Sequence, residues 1–360
     1  MEKQTIVIPT GFYNTGSSVI TNVLQEMEGT STLEGVNEWR ILYDPDCIRD
    51  LEYHLIENPH RQNTAYALKR FKAYIDFNTN KFLNHHYEQI CDGNFKRISY
   101  EYINSISDFI YHGASHLDIL EKGRLFWFVE RCYSKLIRMV FSTKRPSWVR
   151  GSLISKRTTQ FAGTFDREKF YKATRDYVGK IIGFVNKSNS KCVVADQFLP
   201  PSDINSYFNY FPTDYNVKVI VVDRDPRDLF FTCKFFLHTK AIPTNSPKEF
   251  CDWYKWTRRQ SEKNNDTDSI MRIKFEDAIY EYELTRRRIL EFCGIENANC
   301  ISQYKFFDPS KSINNTQVWN RYPGNDDCIN YISNELKEYC YNFEDKMKEP
   351  DYKNGNIFDC

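Results

Sequence analysis

The run Val217-Lys218-Val219-Ile220-Val221-Val222 constrains the fold of this chain more than any other stretch. Five β-branched apolar residues around one lysine leave no wet face, and a strand covered on both sides belongs inside a mostly parallel sheet. The run stops at Asp223-Arg224-Asp225-Pro226-Arg227-Asp228, and a helix pattern begins at Leu229-Phe230-Phe231-Thr232-Cys233. Shorter runs of the same kind, Thr5-Ile6-Val7-Ile8, Cys192-Val193-Val194-Ala195 and Ile270-Met271-Arg272-Ile273, are each followed by a turn. This alternation predicts an α/β chain with a central parallel sheet, and such sheets bind ligands beyond the carboxyl ends of their strands.

The first strand leads into Thr10-Gly11-Phe12-Tyr13-Asn14-Thr15-Gly16-Ser17-Ser18 and then the apolar Val19-Ile20-Thr21-Asn22-Val23-Leu24. A strand, a glycine turn and a helix start bring backbone N–H groups and a helix dipole to one point, which favours an anion. The spacing Gly11-x4-Gly16-Ser17-Ser18 copies the phosphate loop G-x-x-x-x-G-K-S/T with Ser17 in place of the lysine, so the clamp expected for ATP is missing. The alternative is a purely structural turn with a serine N-cap.

Three further carboxyl-end positions carry chemistry. Arg224 offers a bidentate fork and Thr232 a hydroxyl two helical turns on, a compact phosphate clamp, or else Arg224 is locked to Asp225 or Asp228 in a turn network. Asp196, after the strand Cys192–Ala195, is a ligand-facing carboxylate or a cap before Ser202-Asp203. Glu38 lies in the stretch 30–42 after the first helix, where the second strand of a doubly wound fold ends near the first, and looks into the same crevice or pairs with Arg40 at the surface.

The expected organisation is residues 1–43 as the first half of the core, 44–190 as a helical insertion, 191–349 as the second half and 350–360 as a tail. Residues 44–190 are too long for a loop and contain aromatic, helix-like segments at 82–91, 125–141 and 166–186. Their basic clusters, Lys69-Arg70-Phe71-Lys72 and Lys156-Arg157, are solvated faces or contacts to an acidic substrate. The last helix is expected over 326–346. A net charge of +1 provides no global pull toward nucleic acid or an anionic membrane. The 11 cysteines are scattered without a CxxC pair, so neither a metal nor a disulfide framework is expected. With no apolar leader before the first strand and no long apolar run, the expectation is a soluble, cytoplasmic protein with no membrane span; oligomeric state is not legible.

These residues resemble the sulfotransferases that use 3′-phosphoadenosine 5′-phosphosulfate. Asn14-Thr15-Gly16-Ser17-Ser18 resembles the family's 5′-phosphosulfate loop, K/R-S/T-G-S/T-S/T. Val219 to Asp228, with Arg224 and Thr232 eight residues apart, resembles its 3′-phosphate motif. Ile273-Lys274-Phe275-Glu276-Asp277 and the helix that follows resemble the segment closing the family core. The likeness covers about half the chain and implies a three-layer, P-loop-like α/β fold with a central parallel sheet and a large helical insertion.

It further implies a sulfuryl transfer from that nucleotide to an acceptor hydroxyl, on a glycan, a glycan precursor or a small metabolite. Tyr13, Asn14, Thr15, Gly16, Ser17 and Ser18 would hold the 5′ phosphosulfate, and Arg224 with Thr232 the 3′ phosphate. Lys311 or Arg321 would stand in for an absent C-terminal R-K-G. Glu38, in an Asn37-Glu38-Trp39 context, matches the catalytic glutamate of glycan-type members. Asp196 falls in the segment where cytosolic members carry their histidine base, with Phe198 in that histidine's place, so Glu38 is the preferred base. Asn14 stands where the family has a lysine or arginine, and Arg40 or a lysine from the insertion would have to supply the charge. A nucleotide kinase of related fold and an inactive nucleotide- or glycan-binding protein are the competing readings.

Overall fold

A computed structural model describes residues 3–33, 38–82, 86–113, 118–140, 157–259, 266–344, 346, 348–352 and 355–357. Asn37 and Lys156 therefore lie outside the described residues. The strands are β1 (Gln4–Gly11), β2 (Thr30–Ser31), β3 (Ser107–Gly113), β4 (Thr158–Gly163), β5 (Cys192–Val194), β6 (Tyr215–Asp223) and β7 (Ile270–Lys274). The longer helices are α1 (Ser18–Gln25), α2 (Arg61–Asn78), α3 (Phe95–Ser105), α4 (Asp118–Val140), α5 (Arg167–Val185), α6 (Pro226–Phe231), α7 (Pro247–Arg258), α8 (Tyr282–Cys293) and α9 (Asp326–Glu335).

Chain contacts divide the molecule into two units, residues 1–44, 86–93 and 175–360 in one and residues 45–85 and 94–174 in the other. The first unit is α/β, with a five-stranded sheet in the order β2-β5-β1-β6-β7. Every pairing in it is parallel. Val7, Cys192, Val194, Ile220, Val222, Met271 and Ile273 point to one face and pack with α1 and α8. The alternating residues Ile6, Ile8, Val193, Val219 and Val221 are buried as well. Both faces are dry, which is what the unbroken apolar runs require.

Register decides what gathers at the carboxyl edge. Gly11 pairs with Val222, so β1 and β6 finish side by side. On the other side of β1, the strand β5 ends at Val194, but the Ala195 and Gln197 N–H groups continue along it to the carbonyls of Val7 and Pro9. The two-residue β2 lies at the sheet edge beside β5, not beside β1, so Glu38 is not brought to the crevice by β2. The Trp39 N–H instead donates to the Asp196 carbonyl, tying this segment to the chain after β5.

The C-terminal helix α9 ends at Glu335, short of the expected 346. A competing anchor accounts for this, because the Tyr341 N–H donates to the Asp225 carboxylate and Tyr341 and Phe343 pack on Tyr280. The chain must be extended there. The tail is also tied, with the Asp351 and Tyr352 carbonyls accepting from Arg321.

The second unit contains α2, α3 and α4 together with the antiparallel pair β3–β4, which the helical pattern of the sequence does not reveal. Phe71, Phe95, Ile98 and Tyr102 form part of its core. The basic cluster after Ala67 is spent locally, Arg70 on Asp46 at 2.6 Å and Lys72 on Asp76 at 2.6 Å.

Candidate functional site

The turn after β1 is shaped by backbone more than by side chains. Tyr13, Asn14 and Gly16 all have positive φ, +28°, +56° and +87°. Asparagine tolerates that region and glycine adopts it freely, whereas tyrosine is held there against its preference. Gly16 is required on a second count, since a Cβ at this position would lie 2.5 Å from the Phe275 ring. Buried Thr15 fixes the turn to the next strand, its hydroxyl donating to the Val222 carbonyl at 2.7 Å. Phe12 is buried beneath the Arg258 guanidinium, which pairs with Asp223 at the end of β6.

Ser17 does not cap α1 through its side chain. Its hydroxyl accepts from the Gln197 amide at 2.7 Å, and Gln197 itself has φ of +54°. The loops after β1 and β5 are thus linked by a side chain that sequence reasoning passed over. The Asn14 amide donates to the Cys233 sulfur at 3.7 Å. Ser18, the first residue of α1, is exposed.

The turn after β6 is a buried charge cluster. Pro226 at the first helical position and the Asp225 N-cap start α6. A wider π-helical turn, Thr232–Leu237, follows directly, and Thr232 opens it. Arg224 is 2% exposed and Thr232 fully buried. Arg224 donates to the Thr232 hydroxyl at 3.2 Å and also to the Asn315 carbonyl. Among the described residues its Nε has no partner. The guanidinium carbon lies 5.2 Å from the Phe275 ring centroid, so the ring that fills the space beside Gly16 also carries Arg224.

Neither Asp225 nor Asp228 takes Arg224 as a hydrogen-bonded partner. Asp225 binds Arg227 through both carboxylate oxygens and caps α6. Asp228 accepts the Gln317 and Val318 N–H groups. Burial holds the Asp228 carboxyl far above the usual carboxylate range, opposed by the Arg224 charge and aided by Asp225 and Glu276. Glu276 accepts the Asp225 N–H at 2.9 Å while its other oxygen is unpartnered. Burial first, and Asp225 second, push it up to about 7.

A second cluster surrounds Glu38. Arg40 lies 3.7 Å from the Glu38 carboxylate and 6.0 Å from the Tyr13 ring centroid, which places a cation between Glu38 and the loop. Although burial works against it, the charges of Tyr43, Asp44 and Glu38 hold Arg40 above its ordinary range. The Asp196 carboxyl is pushed up to about 7, by burial first and then by the Glu38 charge, and among the described residues its Oδ1 has no partner. Asp196 caps no helix. His86 also faces this cluster, with burial lowering its pKa and Glu38 acting the other way. Phe198 is fully buried against Trp39 and Phe211, a core residue with no polar role.

The remaining candidates separate. Arg321 is engaged by the carbonyls of Asp351, Tyr352 and Asn314. Lys311 is exposed on a short helix, Pro309–Ser312, that runs into Asn315. Gln197, Phe275, His86 and the Asn315 carbonyl were missed in the sequence. Gln197 and Phe275 alone carried a signal, each directly beyond the carboxyl end of a parallel strand.

No protein-family model matches the chain, and no curated protein matches it. Among solved structures, the crystal structure of the sulfotransferase STF1 from Mycobacterium tuberculosis H37Rv (type 1 form) is similar over 82% of this chain and 68% of that one, at 13% identity and a TM-score of 0.31.

Proposed function

We propose that this chain is a sulfotransferase that moves a sulfuryl group from 3′-phosphoadenosine 5′-phosphosulfate to an acceptor hydroxyl on a glycan or glycan precursor. One juxtaposition carries the reading. The glycine loop and the Arg224–Thr232 pair leave neighbouring strands at matched register and share the Phe275 ring, which supports reading them as two anion-binding turns at one sheet edge. A nucleotide phosphorylated at both ends has the two anions such an edge would hold. The residues fit it in a second respect, because among the described residues the buried Arg224 Nε lacks an acceptor that a phosphate oxygen would provide.

In this proposal Tyr13, Thr15, Gly16, Ser17 and Ser18 hold the 5′ phosphosulfate through backbone N–H groups, and Arg224 and Thr232 hold the 3′ phosphate. Lys311 closes over the nucleotide, while Arg321 holds the chain behind it. Charge that develops on the leaving phosphate is offset by the loop amides and by Arg40, which takes the part that Asn14 cannot play. Glu38 removes the acceptor proton. Burial, and then the Glu38 charge, raise the neighbouring Asp196 carboxyl to about 7, so it is the weaker candidate for the base.

Transfer of labelled sulfate to a panel of glycans and small phenols tests this. Turnover should fall about 10²- to 10⁴-fold in Glu38→Gln, the usual value of general-base help; near-normal turnover would remove Glu38 from the role. ATP displacing adenosine 3′,5′-bisphosphate would favour the kinase instead. One observation supports binding without transfer, the donation of the Asn14 amide to Cys233. Purified protein that binds the bisphosphate yet neither transfers nor hydrolyses the donor would establish that second reading.

A further inference from the structure

Helix α4 is bent at Gly123, where φ is +79° and ψ +171°, and runs on to Val140. Beyond the bend its residues fall on three faces. Glu130 and Ser134, one turn apart, are buried. Leu125, Phe128, Val129, Leu136, Met139 and Val140 recur at helical spacing on another face, and all are exposed, Leu125 by 77% and Val140 by 73%. Arg124, Arg131 and Lys135 line the edge of that apolar face and are exposed too. The polarity is inverted relative to an ordinary surface helix, which buries its apolar stripe. A continuous apolar surface of this size marks an interaction site.

Charge identifies the occupant. Residues 121–157 contain ten lysines and arginines against two acidic residues, in a chain whose net charge is +1. Among the described residues of α4 after Gly123 the only acid is Glu130, and it is buried. A second copy docking on the same face would bring two like-charged stripes together, because a two-fold contact pairs a surface with itself. An extended anionic surface accepts both the stripe and the apolar face. No helix among the described residues is long and apolar enough to cross a membrane, so the contact would be interfacial.

We propose that α4 lies in the plane of an anionic lipid surface, its apolar face among the headgroups and Arg124, Arg131 and Lys135 on the phosphates and carboxylates beside it. This does not rest on the sulfotransferase reading. Co-sedimentation of the full chain with vesicles tests it, comparing phosphatidylcholine alone with an equimolar mixture of phosphatidylcholine and phosphatidylserine. Binding should be selective for the mixture and weaken with salt. Arg131→Gln and Lys135→Gln should each reduce it roughly fivefold. Leu136→Glu, at an exposed site where folding is spared, should abolish it, with circular dichroism confirming the fold. Equal binding to both vesicles, or full binding by Leu136→Glu, overturns the proposal. Absence of binding by a monomer overturns it too, and a dimer in sedimentation velocity that Leu136→Glu dissociates would assign the face to a second copy.

Discussion

The turn after β1 and the turn after β6 leave neighbouring strands at the same edge, yet one is held in shape by its backbone and the other by its charges. In the first, exposed Tyr13 and Asn14 sit at positive φ and the N–H groups are presented by geometry. In the second, Arg224 is sealed among Asp225, Asp228 and Glu276, with hydrogen bonds fixing each carboxyl elsewhere. A backbone cradle costs strain that does not depend on pH, whereas a buried charge cluster stores a balance that titration or a single deletion can upset. The two halves of the proposed site should therefore fail differently.

The largest difference is expected on removing the cation. Arg224→Ala should lower the unfolding free energy by about 3–5 kcal/mol and abolish bisphosphate binding, because the acidic cluster loses its counter-charge. Urea unfolding measures the first effect and calorimetry the second. Unchanged binding would withdraw Arg224 from the nucleotide site.

Next comes the pH response. Glu276 and Asp196 both have folded-state values of about 7, above those of the unfolded chain, so the folded state holds protons that the unfolded state has lost. The contribution of these two groups to stability is greatest below the unfolded values near 4, falls as pH rises toward 7, and stays low above it. Glu276 alone should contribute a decline on the order of 3 kcal/mol. Urea unfolding at several pH values should show this slope flattened in Glu276→Gln and, separately, in Asp196→Asn; an unchanged slope in both would refute the assignment.

The smallest effect belongs to the loop. Gly16→Ala should cost about 2 kcal/mol at every pH, from its positive φ and the crowding of Phe275. Thermal melts at two pH values would show a parallel shift; a pH-dependent one would erase the distinction between the turns.

How much was legible follows the same division. The strands and the glycine loop could be read because their signals are local, an unbroken apolar run and a Gly-x4-Gly spacing. What β-branching and turn residues cannot encode is the partner of each side chain. Arg224 could be singled out, but its choice of Thr232 and the Asn315 carbonyl over its acidic neighbours depends on how the acids are themselves occupied. Glu38 could be placed near the loop, although the route was misjudged: β2 is at the sheet edge, and Trp39 is tied to Asp196 instead. The β3–β4 pair escaped notice because its strands are far apart in sequence and β3 turns several residues to solvent, leaving no core-like pattern to read.

Asp228 takes its N–H donors, and Asp225 a further one beside its local pairing with Arg227, from 89 to 116 residues further along. On a chain growing from its N-terminus, the glycine loop can close once β6 has joined β1, because Thr15 asks only for the Val222 carbonyl. The arginine turn has to wait for residues 315–341. Most of the chain is then already made, and until that moment Asp228 lacks its N–H donors and Arg224 lacks the Asn315 carbonyl. Order of synthesis thus separates the two turns in time: the glycine turn can close long before the arginine turn, and truncation ahead of residue 315 would leave the first without the second.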